Sequence, residues 1–93
     1  MFKKLNPLLH AQLRLAIISY LVAKGTSDFN ELKEVTSATS GNLSVQLKKL
    51  EHADYLTITK GFLNNYQHTS VCITSKGIDA FEEYVETLKS YLS

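Results

Sequence analysis

Cysteine is nearly absent: Cys72 is the only one, so neither an internal disulfide nor a multi-cysteine zinc site can form. A reducing, cytosolic compartment is the simpler expectation. No run of residues approaches the roughly 20 apolar positions that span a bilayer. The basic start is followed by a stretch interrupted by Asn6, Pro7, His10, Gln12 and Arg14, unlike a signal peptide. A soluble protein with no membrane partner is therefore expected. Also missing are a glycine-rich phosphate loop, a nucleophile elbow and a paired-carboxylate motif, which leaves no candidate catalytic site. His10, His52 and His68 fall on separate predicted elements with no metal-ligand spacing, so neither a metal nor another cofactor is expected. Repeats, linkers and low-complexity tracts are lacking too.

What remains is a chain of 93 residues, 44% apolar, long enough for one modest core and hence a single domain over 1–93. Its net charge of +1 does not by itself point to a polyanionic partner. The distribution is more informative. Residues 1–35 carry five basic and three acidic groups, residues 36–76 four and two, and residues 77–93 one and four. The chain is mildly basic until an acidic end, where Asp79, Glu82, Glu83 and Glu86 read as a solvated face.

Asn6 followed by Pro7 is a helix-start signal, and Leu9, Leu13, Ala16, Ile17, Tyr20 and Leu21 recur at helical spacing until Gly25. The pattern predicts a first helix over 7–24. After a short connection at Ser27 to Phe29, capped by Asp28 or Asn30, a brief second helix turns Leu32 and Val35 inward. The polar stretch TSATS breaks the pattern, and Thr39 or Ser40 caps a third helix with Leu43, Leu47, Leu50 and Ala53 on one side. Two short helices joined by a tight polar turn make a helix-turn-helix candidate over about 28–53.

From Tyr55 the period changes to two. Leu56 and Ile58, then Thr69, Val71 and Ile73, mark two strands of a hairpin over about 55–74, with Cys72 as a small half-buried filler and a tip at Gly61 to His68. Asn64 and Asn65 in that tip tolerate positive backbone angles. Thr74 caps a last helix over 75–92, whose Ile78, Phe81, Val85, Leu88 and Leu92 form a seam spaced by three and four residues. The fold class is mainly α with a small β-hairpin (α+β).

With Leu43 and Leu47 inward, Gly41, Val45, Lys48, Lys49 and His52 point outward, flanked by Ser40, Asn42, Ser44 and Gln46. Small polar groups that can approach base edges, followed by cations placed for phosphates, suit a helix lying in the major groove of duplex DNA. An ordinary amphipathic helix with a solvated outer face is the simpler alternative when the helix is taken by itself.

The segments SGNLSVQLKKLEHADYLTITKGF and TSVCITSKGIDAFEEYV, preceded by NPLLHAQLRLAIISYL and DFNELKEVT, resemble winged helix-turn-helix domains of the MarR-like and ArsR-like regulator superfamily, and among these the compact stand-alone group. The similarity spans nearly the whole chain. It is carried most specifically by Gly41 to Ser44, LKKLE at Leu47 to Glu51 and ITSKG at Ile73 to Gly77. The resemblance implies a dimeric transcription regulator, with the third helix in the major groove, the hairpin wing on the backbone or minor groove, and terminal helices 7–24 and 75–92 at the dimer contact. The wing departs from the group in lacking arginines, since only Lys60 and His68 bring cationic character, beside hydrogen-bonding groups such as Asn65.

The expected site is therefore Ser40, Gly41, Asn42, Ser44, Val45, Gln46, Lys48, Lys49, Lys60, Asn65 and His68 on double-stranded DNA. A homodimer is expected through Leu5, Leu8, Ile18, Ile78, Phe81, Tyr84, Val85, Leu88 and Leu92, because these add more apolar surface than one small core requires. Two other readings stay open. One is a protein-interaction module; the other is a ligand-responsive regulator with an interface pocket built from Tyr20, Phe81 and Tyr84.

Overall fold

The computed structural model describes residues 2–93. Seven elements follow one another: α1 (Gln12–Lys24), β1 (Thr26–Asp28), α2 (Phe29–Thr36), α3 (Ser40–His52), β2 (Leu56–Leu63), β3 (Tyr66–Ile73) and α4 (Ser75–Leu92). This is the expected α+β winged-helix order with one strand added.

The first helix begins five residues later than its apolar pattern suggests. Asn6 does cap a turn, its Oδ1 accepting from the amides of Leu8 (2.9 Å) and Leu9 (3.3 Å), but Ala11 is extended (φ −148°, ψ 126°) and breaks the cylinder. The isolated turn drops Leu9 into the core. The Leu8 carbonyl, lost to any helix ladder, accepts from Arg14 Nε at 2.7 Å, which satisfies a group that would otherwise need water.

β1 lies where a plain connection is expected. Three residues show no alternation long enough to reveal a strand. Their partner is remote in sequence: Thr26, Ser27 and Asp28 pair antiparallel with Cys72, Val71 and Ser70. The sheet order is β1-β3-β2, so β3 is central. Asp28 then caps α2, its Oδ1 accepting from the Glu31 amide at 2.7 Å. The later helices start as the capping residues predict, with Thr39 accepting from Asn42 and Thr74 from Gly77.

The hairpin spans the expected residues, but its strands are longer and its tip tighter than expected. Strands run to Leu63 and resume at Tyr66, leaving only Asn64 (φ 52°) and Asn65 (φ 69°) to turn the chain. Two consecutive positive φ angles match the right-handed twist of the flanking strands, which is why a two-residue loop suffices. Two side chains also lie elsewhere than expected. Val35 is half exposed because α2 is short and buries only Leu32. Cys72 is exposed because it shares the outer face of the sheet with Thr57 and Thr26.

The core draws on every layer: Leu9 ahead of α1, Ile17, Ile18 and Leu21 from α1, Leu32 from α2, Leu43, Leu47 and Leu50 from α3, Leu56 and Val71 from the sheet, and Tyr84 from α4. The Tyr84 hydroxyl, which α4 carries into the core, is partnered by a hydrogen bond to His10 Nδ1 at 2.9 Å.

α4 approaches β2 closely at Gly77. The Tyr55 carbonyl accepts from the Thr74 amide at 3.1 Å, and a Cβ on Gly77 would lie 2.1 Å from that oxygen. Only a residue without a side chain fits. Gly77→Ala is expected to destabilise the fold by about 1–3 kcal/mol, as overpacking does, and the check is a lowered midpoint in urea unfolding. A midpoint equal to that of the wild type would mean that α4 can move away freely.

A second tie joins α1 to α2. The Glu31 carboxylate accepts from Lys24 Nζ, the Tyr20 hydroxyl and Ser27 Oγ, which holds its pKa down from 4.5 to about 2. A depressed carboxylate stabilises the fold fully above its unfolded value and loses that contribution as pH falls through its folded one. The advantage of the wild type over Glu31→Gln is therefore expected at pH 6 and should shrink between pH 4.5 and pH 2. Parallel stability curves for the two proteins across that range would contradict this assignment.

Candidate nucleic-acid interface

The leucines of α3 decide which side of it meets solvent. Leu43, Leu47 and Leu50 are buried, and at 100° per residue this turns Ser40, Gly41, Asn42, Ser44, Val45, Lys48, Lys49 and His52 outward, all of them exposed. Val45, 52% exposed, is the one large apolar side chain on that face and is placed to meet an apolar group such as a thymine methyl. The Lys48 ammonium stands 3.8 Å from Glu51 on the same helix, a pair both water and salt weaken readily.

Gln46 behaves differently from its neighbours. It is half-buried, its Oε1 accepts from Arg14 Nη1 at 2.6 Å, and its Nε2 donates to Asn42 Oδ1 at 3.0 Å. Arg14 thus links three pieces: the Leu8 turn, α1 and the outer side of α3. Sequence reasoning missed it. The available signal was a lone cation in the otherwise apolar run from Leu13 to Ile18.

Between α3 and the wing lies a groove of about 210 Å³. Phe29, Leu47 and Ile58 contribute its apolar lining, and Ser44, Lys48, Lys60, Gln67 and Thr69 its polar one. The strand register explains the grouping. Lys60 pairs with Thr69 and Phe62 with Gln67, on the same face as the core residues Leu56 and Val71. His68 pairs with Gly61 and lies on the opposite face, so it does not join Lys60. Asn65 sits in the turn itself. The tip around it is apolar, with Phe62 80% and Tyr66 77% exposed and Leu63 beside them.

The residues expected at a dimer contact separate into three groups. Ile18 and Tyr84 are buried in the chain's own core, and Leu5, Leu8, Phe81 and Leu88 pack against that core while keeping part of their surface. Tyr84 is inward because α4 buries Gly77, Tyr84 and Thr87, a face rotated from the expected seam. Ile78 and Val85 remain half-buried, and Leu92 is 79% exposed. Two of the three aromatics expected to line a ligand pocket have their hydroxyls engaged within the chain, Tyr20 with Glu31 and Tyr84 with His10.

Among the described residues no cluster of three or more His, Cys, Asp or Glu side chains is arranged to hold a metal, and no helix is long and apolar enough to cross a membrane. A helix-turn-helix whose second helix is bare along one side, followed by a two-stranded wing, defines the winged-helix class of DNA-binding proteins.

The family model described as a winged helix DNA-binding domain matches residues 13–92, and the chain belongs to that family. An uncharacterized protein of Methanocaldococcus jannaschii is 36% identical over 72 residues, which cover 77% of this chain and 78% of that protein. Among solved structures, a transcriptional regulator homologue from Pyrococcus horikoshii superposes with a TM-score of 0.85 at 25% identity, over 91% of this chain and 84% of that one. BpsR of Bordetella bronchiseptica, whose DNA binding is regulated by 6-hydroxynicotinic acid, superposes with a TM-score of 0.75 over 92% of this chain and 64% of its own. At 13% identity that likeness concerns the fold alone.

Proposed function

We propose that the chain is a sequence-specific transcription regulator acting on duplex DNA as a homodimer in the cytosol. The observation that carries the reading is the outer side of α3, small and polar at its start and cationic at its end, beside a groove with a lysine on each wall. A helix of this kind fits the major groove, which is about 12 Å wide. Ser40, Gly41, Asn42, Ser44, Val45 and Gln46 then face base edges, while Lys48 and Lys49 face phosphates. The ridge of phosphates bordering the major groove would occupy the channel between Lys48 and Lys60. Phe62, next after Lys60 on the same face, would meet the minor groove beyond it, while Asn65 and His68 add hydrogen bonds from the tip and the far face.

The experiment is a mobility-shift titration over a salt series with duplexes selected in vitro. Reversing Lys48 and Lys49 to Glu is expected to weaken binding to every duplex and to lower the slope of log affinity against log salt by about 0.9 for each phosphate that is no longer neutralised. The variant should melt like the wild type, because both side chains are exposed. An unchanged affinity would remove this face of α3 from the interface.

The dimer rests on α4. Ile78, Val85 and Leu92 are seven residues apart and stand roughly 100° round the helix from Tyr84, on a stripe the chain itself does not fully cover. Packed against its symmetry mate, this stripe gives a twofold pair of recognition helices suited to half-sites about 34 Å apart. Val85→Glu combined with Leu92→Glu is expected to convert dimer to monomer in sedimentation velocity and to weaken binding to a two-half-site duplex. A dimer that survives both changes would place the subunit interface elsewhere.

A further inference from the structure

We infer that Arg14, acting through Gln46, fixes the polarity of Asn42 so that this side chain presents hydrogen-bond donors to the DNA and selects guanine at the base it meets. The inference rests on the DNA-binding reading above and deepens it.

A guanidinium has five N–H donors and no acceptor, so the polarity of its partners is unambiguous. Arg14 is held from two sides, with Nε on the Leu8 carbonyl at 2.7 Å and Nη1 on Gln46 at 2.6 Å. Whatever part of Gln46 faces Arg14 must therefore be its oxygen. The Gln46 amide nitrogen is then turned toward Asn42, 3.0 Å away, and because that nitrogen donates, the Asn42 atom facing it must be Oδ1. With Oδ1 engaged, the Nδ2 of exposed Asn42 makes no hydrogen bond among the described residues. The orientation of an exposed amide is thus set from behind by a cation that reaches it only through Gln46.

Asn42 lies in the first turn of α3, where a major-groove helix brings its side chains to base edges. An unconstrained Asn favours adenine, because its oxygen accepts from N6 while its nitrogen donates to N7. Here Oδ1 already accepts from Gln46, which disfavours that bidentate pairing. Two free N–H groups instead match the adjacent acceptors of guanine, O6 and N7. Arg14 is accordingly a positioning residue. It never touches DNA in this arrangement, yet it determines which base is preferred.

The test is in vitro selection from a random duplex library with the intact protein, followed by competition titrations. The position read by Asn42 is identified as the one whose preference disappears in Asn42→Ala. In the wild type that position is expected to favour guanine over adenine by roughly tenfold or more. Gln46→Glu keeps its partner Arg14 but offers only acceptors, so Asn42 must turn its nitrogen inward and its oxygen outward. Guanine preference should then give way to adenine or cytosine, whatever uniform loss of affinity the added negative charge brings.

Arg14→Met, close in volume and without donors, frees both amides and should bring the guanine-to-adenine ratio toward one. If Arg14→Met fails to fold, Gln46→Glu decides alone. Guanine retained in Gln46→Glu, another base preferred by the wild type, or no position sensitive to Asn42→Ala would each overturn the inference. A folded wild-type protein that enriches no sequence at any salt concentration would instead bring down the DNA-binding reading on which the inference stands.

Discussion

The molecule depends on the way α3 is seated. Three leucines, Leu43, Leu47 and Leu50, anchor it from one side, each contributing about 1.5–3 kcal/mol by leaving water. That single stripe settles the rotation of the helix about its axis, and rotation is what a reading helix cannot leave loose. A turn of 100° would exchange Asn42 and Val45 for their neighbours. Hydrophobic burial is non-directional and tolerates small rotations. The directional hydrogen bonds from Arg14 to Gln46 and from Gln46 to Asn42 supply what the leucines do not, and Arg14 is itself braced against the Leu8 carbonyl. The break at Ala11, which looks like a fault in the first helix, releases that carbonyl for the purpose.

The wing shows how little of the electrostatic work is assigned to it. Lys60 is its only lysine or arginine, and it stands midway along β2 beside the groove, not at the tip. The tip itself is a tight Asn-Asn turn between exposed Phe62, Leu63 and Tyr66. Sequence-independent affinity for DNA comes mainly from cations that displace counterions from phosphates. In the proposed complex that affinity is concentrated on the C-terminal half of α3 and on Lys60, while the outer wing offers apolar and aromatic surface. Such a surface gains by packing on sugars and base edges and depends little on salt.

Much of this architecture was legible from the residues. Asp28, Thr39 and Thr74 announce their helices because capping is a local interaction, and the leucines of α3 announce its buried side because periodicity is local as well. The failures share the opposite property. β1 exists only because β3, more than forty residues away, presents an edge to Thr26–Asp28. Tyr84 looks like a surface aromatic until His10, also remote in sequence, takes its hydroxyl. Arg14 looks like an interruption in an apolar helix, and nothing near it in sequence indicates that its partners are Leu8 and Gln46. The exposed face of the site was readable, but the scaffold behind it was not, since that scaffold consists of interactions between distant segments.

The last helix extends the same logic to the level of the assembly. Its inner face, Gly77, Tyr84 and Thr87, is committed to the chain's own core. One flank is occupied by the amino-terminal segment: Lys3 pairs with Glu83 at 2.8 Å, the Tyr91 hydroxyl donates to the Lys3 carbonyl at 2.6 Å, and Phe2 stacks on Tyr91. The other flank carries Ile78, Val85 and Leu92. A helix wrapped on two sides by its own chain leaves a single apolar stripe uncovered, and in the proposed dimer that stripe would be completed by the same stripe on a second copy. Because α4 leaves β3 directly through Thr74, movement at such an interface would be transmitted along the strand that shares the wing with Lys60. Dimer geometry and the spacing of the two reading helices would then be coupled through one short junction, where the Tyr55 carbonyl leaves no room for a side chain at position 77.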